Sequence, residues 1–148
     1  MPEWINAGFD DYARRMPREM LLALTELKPE PRSDKPSAGD IARLLECEAQ
    51  RIEAALPKTG MTVVLDETGN TVTTGQLAGK LTRWREDGRD VTFVIGGADG
   101  SAARLKNSAD WLWSLSPLTL PHGLVRVVLA EQLYRAMSIL GNHPYHRA

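Results

Sequence analysis

Three apolar runs, each followed by a turn and a helical pattern, do most to limit what this chain can fold into. They are Met61-Thr62-Val63-Val64-Leu65, Val91-Thr92-Phe93-Val94-Ile95 and Trp111-Leu112-Trp113-Ser114-Leu115. β-Branched and aromatic residues dominate them, as suits strands packed on a pleated surface. The first leads into the turn Asp66-Glu67-Thr68-Gly69-Asn70. A helix follows, capped by Thr73 or Thr74, carrying Leu77, Leu81 and Trp84 and ending at Asp87-Gly88-Arg89-Asp90. The second leads into Gly96-Gly97-Ala98-Asp99-Gly100 and a short helix near Ala102 to Asn107. The third leads into Ser116 to Gly123 and a helix from about Leu124 to Leu140. Strands alternating with helices make a parallel sheet covered on both faces. The expected fold class is therefore α/β, in one domain over residues 1–148. Ligands of such folds bind beyond the carboxyl ends of the strands. The turn after Leu65, the glycines after Ile95 and the loop after Leu115 are thus the candidate sites.

The N-terminal part is less regular. Trp4 to Met16 places Trp4, Ile5, Gly8, Phe9, Tyr12 and Met16 at helical spacing, with Pro2 at the start and Pro17 as the stop. Met20 to Leu27 is short and apolar, and predicts a strand. Lys28 to Gly39 holds Pro29, Pro31 and Pro36 among charges, and predicts a mobile loop. Asp40 is the expected N-cap of a helix through about Leu56, with Ile41, Leu44, Leu45, Ile52 and Leu56 on its apolar face.

Composition narrows the function classes. The 148 residues can bury a real core, and 43% apolar with 25% charged residues is ordinary for a globular protein. No apolar run approaches the roughly 20 residues needed to span a bilayer. Met1-Pro2-Glu3-Trp4 does not resemble a secretory signal, and the lone Cys47 fits a reducing cytoplasm as a packed, inert thiol. No metal site is expected. With 18 basic and 19 acidic residues the net charge is −1, which leans against tight binding of free RNA. Local positive charge, a dimer or a ribonucleoprotein surface would be needed for any action on RNA.

Several segments carry chemical potential. Gly96, Gly97 and Gly100 permit close approach of a ligand to the backbone, although a tight strand-to-helix turn accounts for them equally. The segment lacks the spacing of a dinucleotide fingerprint or a P-loop. Ser116-Pro117-Leu118-Thr119-Leu120-Pro121-His122-Gly123 is unusually apolar for a loop, so it is expected to be buried in the core, at an interface or around an apolar ligand. Leu124 to Met137 is apolar nearly all round, which suits a helix buried on more than one side and points to a homodimer interface. Within it, Arg126 and Glu131 need partners if buried, and Glu131 with Arg135 makes an ordinary i, i+4 pair. The tail Asn142-His143-Pro144-Tyr145-His146-Arg147 gathers groups able to move protons, stack on a base and hold a phosphate, though chain ends are usually disordered.

Taken in order, several stretches resemble one known family. They are Phe93 to Gly100, Trp113 to Ser116, Leu118 to His122, Leu124 to Val127, Ala130 to Ala136 and Asn142 to Arg147. Met1 to Trp4 with Phe9 and Tyr12, and Asp87 to Val91, agree with it. The family is the ribosomal RNA large-subunit pseudouridine N3-methyltransferases (methyltransferase H), a minimal branch of the SPOUT superfamily. The resemblance implies a C-terminal trefoil knot within about residues 91–148, an exception to the rule that chains do not thread loops. It implies S-adenosylmethionine held by Leu65, Gly96, Gly97, Ser116, Pro117, Leu118, Thr119, Leu120 and Pro121. It also implies a homodimer acting on a pseudouridine in helix 69 of the 23S rRNA within the 70S ribosome, which answers the charge objection. The chemistry implied is methyl transfer to a ring nitrogen that must first lose its proton. His122, Tyr145, His146 and Arg147 are the candidate catalytic residues: His146 for the proton, Tyr145 for stacking, Arg147 for a phosphate or base.

The sequence departs from the family at a few points. Members usually begin with another strand, of the form Lys-Leu-x-x-x-x-Val-Gly, ahead of the Met-Pro-Glu-Trp found here. Ala98 stands where proline is common, Gly123 replaces a frequent proline, and Pro117 replaces an alanine. Other readings are a non-catalytic ribosome-binding relative and a SPOUT enzyme acting on a transfer-RNA ribose. A hydrolase using Ser116 and His122 is disfavoured, because no Gly-x-Ser-x-Gly elbow is present.

Overall fold

The computed structural model describes residues 1–28, 31, 34–97 and 99–147. Pro29, Ala98 and Ala148 lie outside the described residues. Helix α1 spans Glu3–Arg15, and a 3-10 turn follows at Arg18–Met20. Helix α2 spans Ala38–Ala55. Its N-cap is Ser37 rather than Asp40: the Ser37 hydroxyl accepts from the Asp40 amide while the Asp40 carboxylate accepts from the Ser37 amide. Asp40 thus fills the third position of a capping box, and the helix starts three residues earlier than its apolar pattern. Strand β1 (Met61–Asn70) is followed by α3 (Thr74–Glu86), which Thr73 caps reciprocally with Gln76. Strand β2 (Val91–Ile95), α4 (Ala103–Ser108), β3 (Trp111–Trp113) and α5 (His122–Leu140) come next. A 3-10 turn at Pro144–Arg147 closes the chain.

The strands form one parallel sheet in the order β2-β1-β3. Side chains of β1 alternate between its faces, as period two requires. Val63 and Leu65 pack with Leu77, Leu81 and Trp84 of α3 and with Leu129, Leu133 and Met137 of α5. Val64 packs on the other face with Ala49 of α2, Val94 and Leu105 of α4. Val63 and Val64 are both fully buried, so helices cover the sheet on both sides. Trp111 and Trp113, two apart on β3, stack at 4.8 Å, and Trp113 meets Phe93 while Trp111 meets Trp84.

Helix α5 lies against both α1 and α3. Gly8 makes the first contact close: a Cβ there would stand 3.3 Å from Val127 Cγ1. Much of the apolar surface that pointed to a second copy is therefore covered within the chain, though Leu124, Val125, Val127 and Val128 remain half-buried. No helix among the described residues is long and apolar enough to cross a membrane.

Met20–Leu27 does not form the expected strand. After the 3-10 turn it has no regular structure, and Leu21 is 78% exposed, with Leu24 and Leu27 also exposed. A strand needs a neighbour to satisfy its backbone, and this segment has none. It lines a groove of about 1250 Å3 together with the edge strand β2 and the end of α2, Ile52 to Leu56. β2 has β1 on one side only.

Candidate active site at the strand ends

Leu65 is in register with Ile95 on one side and Trp113 on the other, so the three segments that follow these residues begin at one level of the sheet. The expected turn at Asp66–Asn70 is instead a bulged continuation of β1. Its register shifts after Leu65 and recovers where Asn70 pairs with Trp113. The Ser114 amide donates to the Asn70 carbonyl at 2.9 Å. Gly69 passes so near β3 that a Cβ would lie 2.6 Å from the Leu112 carbonyl oxygen. Only glycine fits there.

Inside this bulge, Asp66 accepts hydrogen bonds from the Thr68 amide, at 3.0 Å, and from the Thr68 hydroxyl. Lys106 of α4 stands 3.7 Å away. Burial works to raise the Asp66 pKa, but the two Thr68 bonds and the Lys106 charge outweigh it and hold the carboxyl below its ordinary value. The next residue, Glu67, reaches the third loop, accepting from the Thr119 hydroxyl at 2.8 Å.

The glycine segment forms a tight turn: the Gly100 amide donates to the Gly97 carbonyl at 3.0 Å, and Gly100 has φ +82°. A Cβ on Gly96 would lie 2.6 Å from Ser101 Oγ and 2.7 Å from the Gly100 carbonyl oxygen, so this position too demands glycine. Gly96 and Gly97 also line the mouth of the β2 groove, with His122 and Arg126.

The Ser116–Pro121 loop is not buried in the core of its own chain. Pro117, Leu118 and Thr119 are exposed, Leu118 at 71%, while Leu120 is half-buried. No described part of the chain covers these side chains, yet the loop is shaped from within. Ser114 donates its hydroxyl to the Ser116 carbonyl at 2.9 Å, and the Leu118 amide donates to Ser116 Oγ at 3.0 Å. His122 begins α5, two residues before the expected start, and is exposed.

The tail, by contrast, is docked. Tyr145 donates to Glu131 at 3.1 Å and shares a 3.3 Å hydroxyl contact with Tyr12. Its ring lies 4.8 Å from Tyr134, and the Arg135 guanidinium sits 4.8 Å from its centroid. Glu131 also accepts from Arg135 Nε at 2.7 Å and from Gln132 at 2.8 Å, and Gln132 in turn accepts from Thr74 at 2.8 Å. The i, i+4 pair read as ordinary is therefore the anchor of the tail. Sequence spacing gave Glu131 and Arg135 but not Tyr12, which comes from the far end of the chain.

Burial first, then the bond with Tyr12 and the negative Glu131, push the Tyr145 phenol well above its usual range. Tyr145 stays protonated at neutral pH and is a donor, not a base. His146 is half-buried with no hydrogen bond to its Nδ1, and Arg147 is exposed. Arg126 is only 8% exposed; its Nη2 meets Glu26 at 3.3 Å, while Nη1 has no partner. Nine residues separate His122 from Glu131, about 14 Å along the helix. One chain therefore holds two separate groups of proton-active residues. Among the described residues no cluster of histidine, cysteine and carboxylate side chains is arranged to hold a metal.

Comparison with known proteins agrees with this geometry. The family model described as "Predicted SPOUT methyltransferase" matches residues 1–146. The chain is 60% identical, over all 148 of its residues and 93% of the relative, to the "Ribosomal RNA large subunit methyltransferase H" of Burkholderia mallei (strain SAVP1). It is equally similar, over the same shares, to the protein of that name in Burkholderia pseudomallei (strain K96243). An α/β sheet of parallel strands with its loops gathered at one level, matched over nearly its whole length, places the chain in the SPOUT methyltransferase family.

Proposed function

We propose that the protein methylates N3 of a pseudouridine in helix 69 of 23S rRNA on the assembled 70S ribosome, in the cytoplasm, using S-adenosylmethionine. The observation that carries this reading is the shared level at which the β1 bulge and the loops after Ile95 and β3 begin, in a chain 60% identical to proteins named as large-subunit rRNA methyltransferases. The residues fit the cofactor: Gly97 is exposed at the end of β2, and Leu118 stands exposed between Pro117 and Pro121 where a flat apolar ring can meet it. Leu65, Gly96, Gly97 and Ser116 to Pro121 would hold it.

Bound S-adenosylmethionine supplies an electrophilic methyl on a sulfonium. The remainder falls to the chain. N3 of the base carries a proton that must leave as the N–C bond forms, so the base needs both orientation and a proton acceptor. His146 is the acceptor we favour, and the exposed His122 is the other candidate. Tyr145 stacks or donates, and Arg147 holds a phosphate or the base. If His122→Ala and His146→Ala each keep normal turnover on ribosomes, a histidine base is excluded.

His122 and the Glu131 anchor of the tail lie about 14 Å apart along α5, so one chain does not bring the two groups side by side. This supports a homodimer in which the tail of one protomer serves the pocket of its partner. The same reading includes the trefoil knot at about residues 91–148. Calorimetric titration with S-adenosylmethionine tests the cofactor assignment. Saturable binding is expected; no heat at millimolar cofactor would favour a non-catalytic ribosome-binding role.

A further inference from the structure

We infer that Asp66 and Glu67 form a clasp that ties the β1 bulge to α4 and to the proline-bounded loop, with Glu67 a positioning residue for the cofactor pocket. The inference rests on the cofactor reading above. Consecutive side chains of extended backbone point to opposite faces. Val64 faces α4 and Leu65 faces α5, and beyond the register shift Asp66 and Glu67 are likewise seen to reach different elements. Asp66 meets Lys106 of α4, the helix that follows the glycine turn. Glu67 meets Thr119, in the middle of the proline-bounded loop.

The β1 bulge is thereby tied to α4 by one carboxylate and to the proline-bounded loop by the next. The two ties differ in kind. Asp66 is mostly buried, and its two bonds to Thr68 fix its orientation within the bulge. Glu67 is exposed, and its bond joins segments 52 residues apart. The Ser116 bonds shape the third loop internally but leave its distance from β1 open, and the Glu67–Thr119 bond supplies that distance.

The test compares Glu67→Ala, Glu67→Gln, Thr119→Val and the double variant Glu67→Ala/Thr119→Val in the full chain. Amide hydrogen exchange is followed across residues 116–120 without cofactor, and S-adenosylmethionine binding by calorimetry. Glu67→Ala is expected to speed exchange at Leu118 and Thr119 and to weaken cofactor binding about three- to tenfold, the range of one hydrogen bond. KM for the cofactor should rise while kcat holds. Glu67→Gln, which keeps an acceptor oxygen, should restore both readouts, and the double variant should be no worse than either single one. Unchanged exchange in Glu67→Ala overturns the clasp. Faster exchange with unaltered cofactor affinity, or additive losses in the double variant, overturns its positioning role. Because exchange is read without cofactor, failure of the wild-type chain to bind S-adenosylmethionine would count against the cofactor reading alone.

Discussion

The two ends of this chain behave in opposite ways to what their composition suggests. Met20–Leu27 is apolar and strand-like, yet it forms no strand and leaves Leu21 exposed. Asn142–Arg147 is polar and terminal, yet Tyr145 is bonded to Glu131 and Tyr12 and packed between Tyr134 and Arg135. The difference is the presence of partners. A strand is half of a structure and needs a neighbouring edge, whereas the tail finds complementary groups already fixed on α1 and α5.

The largest predicted effect lies where α5 meets the sheet. Leu133→Ala should lower stability by about 2–5 kcal/mol, as for other buried leucines, while Leu21→Ala should change it by less than about 0.5 kcal/mol. Denaturant unfolding of both variants decides this; comparable losses would mean that the Met20–Leu27 segment is packed in solution. Gly69→Ala comes next. Its Cβ would collide with the β3 backbone, for a cost of about 1–3 kcal/mol, and an unchanged melting temperature would remove the close approach from the account.

Tyr145→Phe is a smaller change, about 1 kcal/mol from the lost bonds to Glu131 and Tyr12. It should speed hydrogen exchange over residues 143–147 while leaving β2 unaffected; equal exchange would show that ring packing alone holds the tail. Smallest is the acid limb. Asp66 has a depressed pKa when folded, so its contribution is complete above the unfolded carboxylate value and is lost as pH falls through the folded one. Asp66→Asn should therefore reduce stability at neutral pH and flatten its pH dependence below about pH 4. A variant with an unaltered acid limb would contradict the hydrogen-bonded state of Asp66.

What was legible in the sequence was what depends on short-range pattern. Val91–Ile95 is a strand over the residues its composition marks, and α1 and α3 stop and start at Pro17 and Thr73 as local chemistry requires. The three strand ends were legible as a group because parallel topology gathers them. Features that depend on a distant partner were not. β1 runs on to Asn70 because β3 accepts it there. Leu118 is exposed because nothing described covers it, although its composition reads as buried. The role of Glu131 emerged only when Tyr145 and Tyr12 were seen beside it, since an i, i+4 pair with Arg135 is complete by itself.

The central claim is tested most directly by incubating the protein with S-adenosylmethionine tritiated in its methyl group and ribosomes from a strain lacking the endogenous enzyme. The 23S rRNA is then digested to nucleosides. The account predicts label in N3-methylpseudouridine from assembled 70S ribosomes and little from free 23S rRNA. Label on a ribose, on transfer RNA, or nowhere would contradict it.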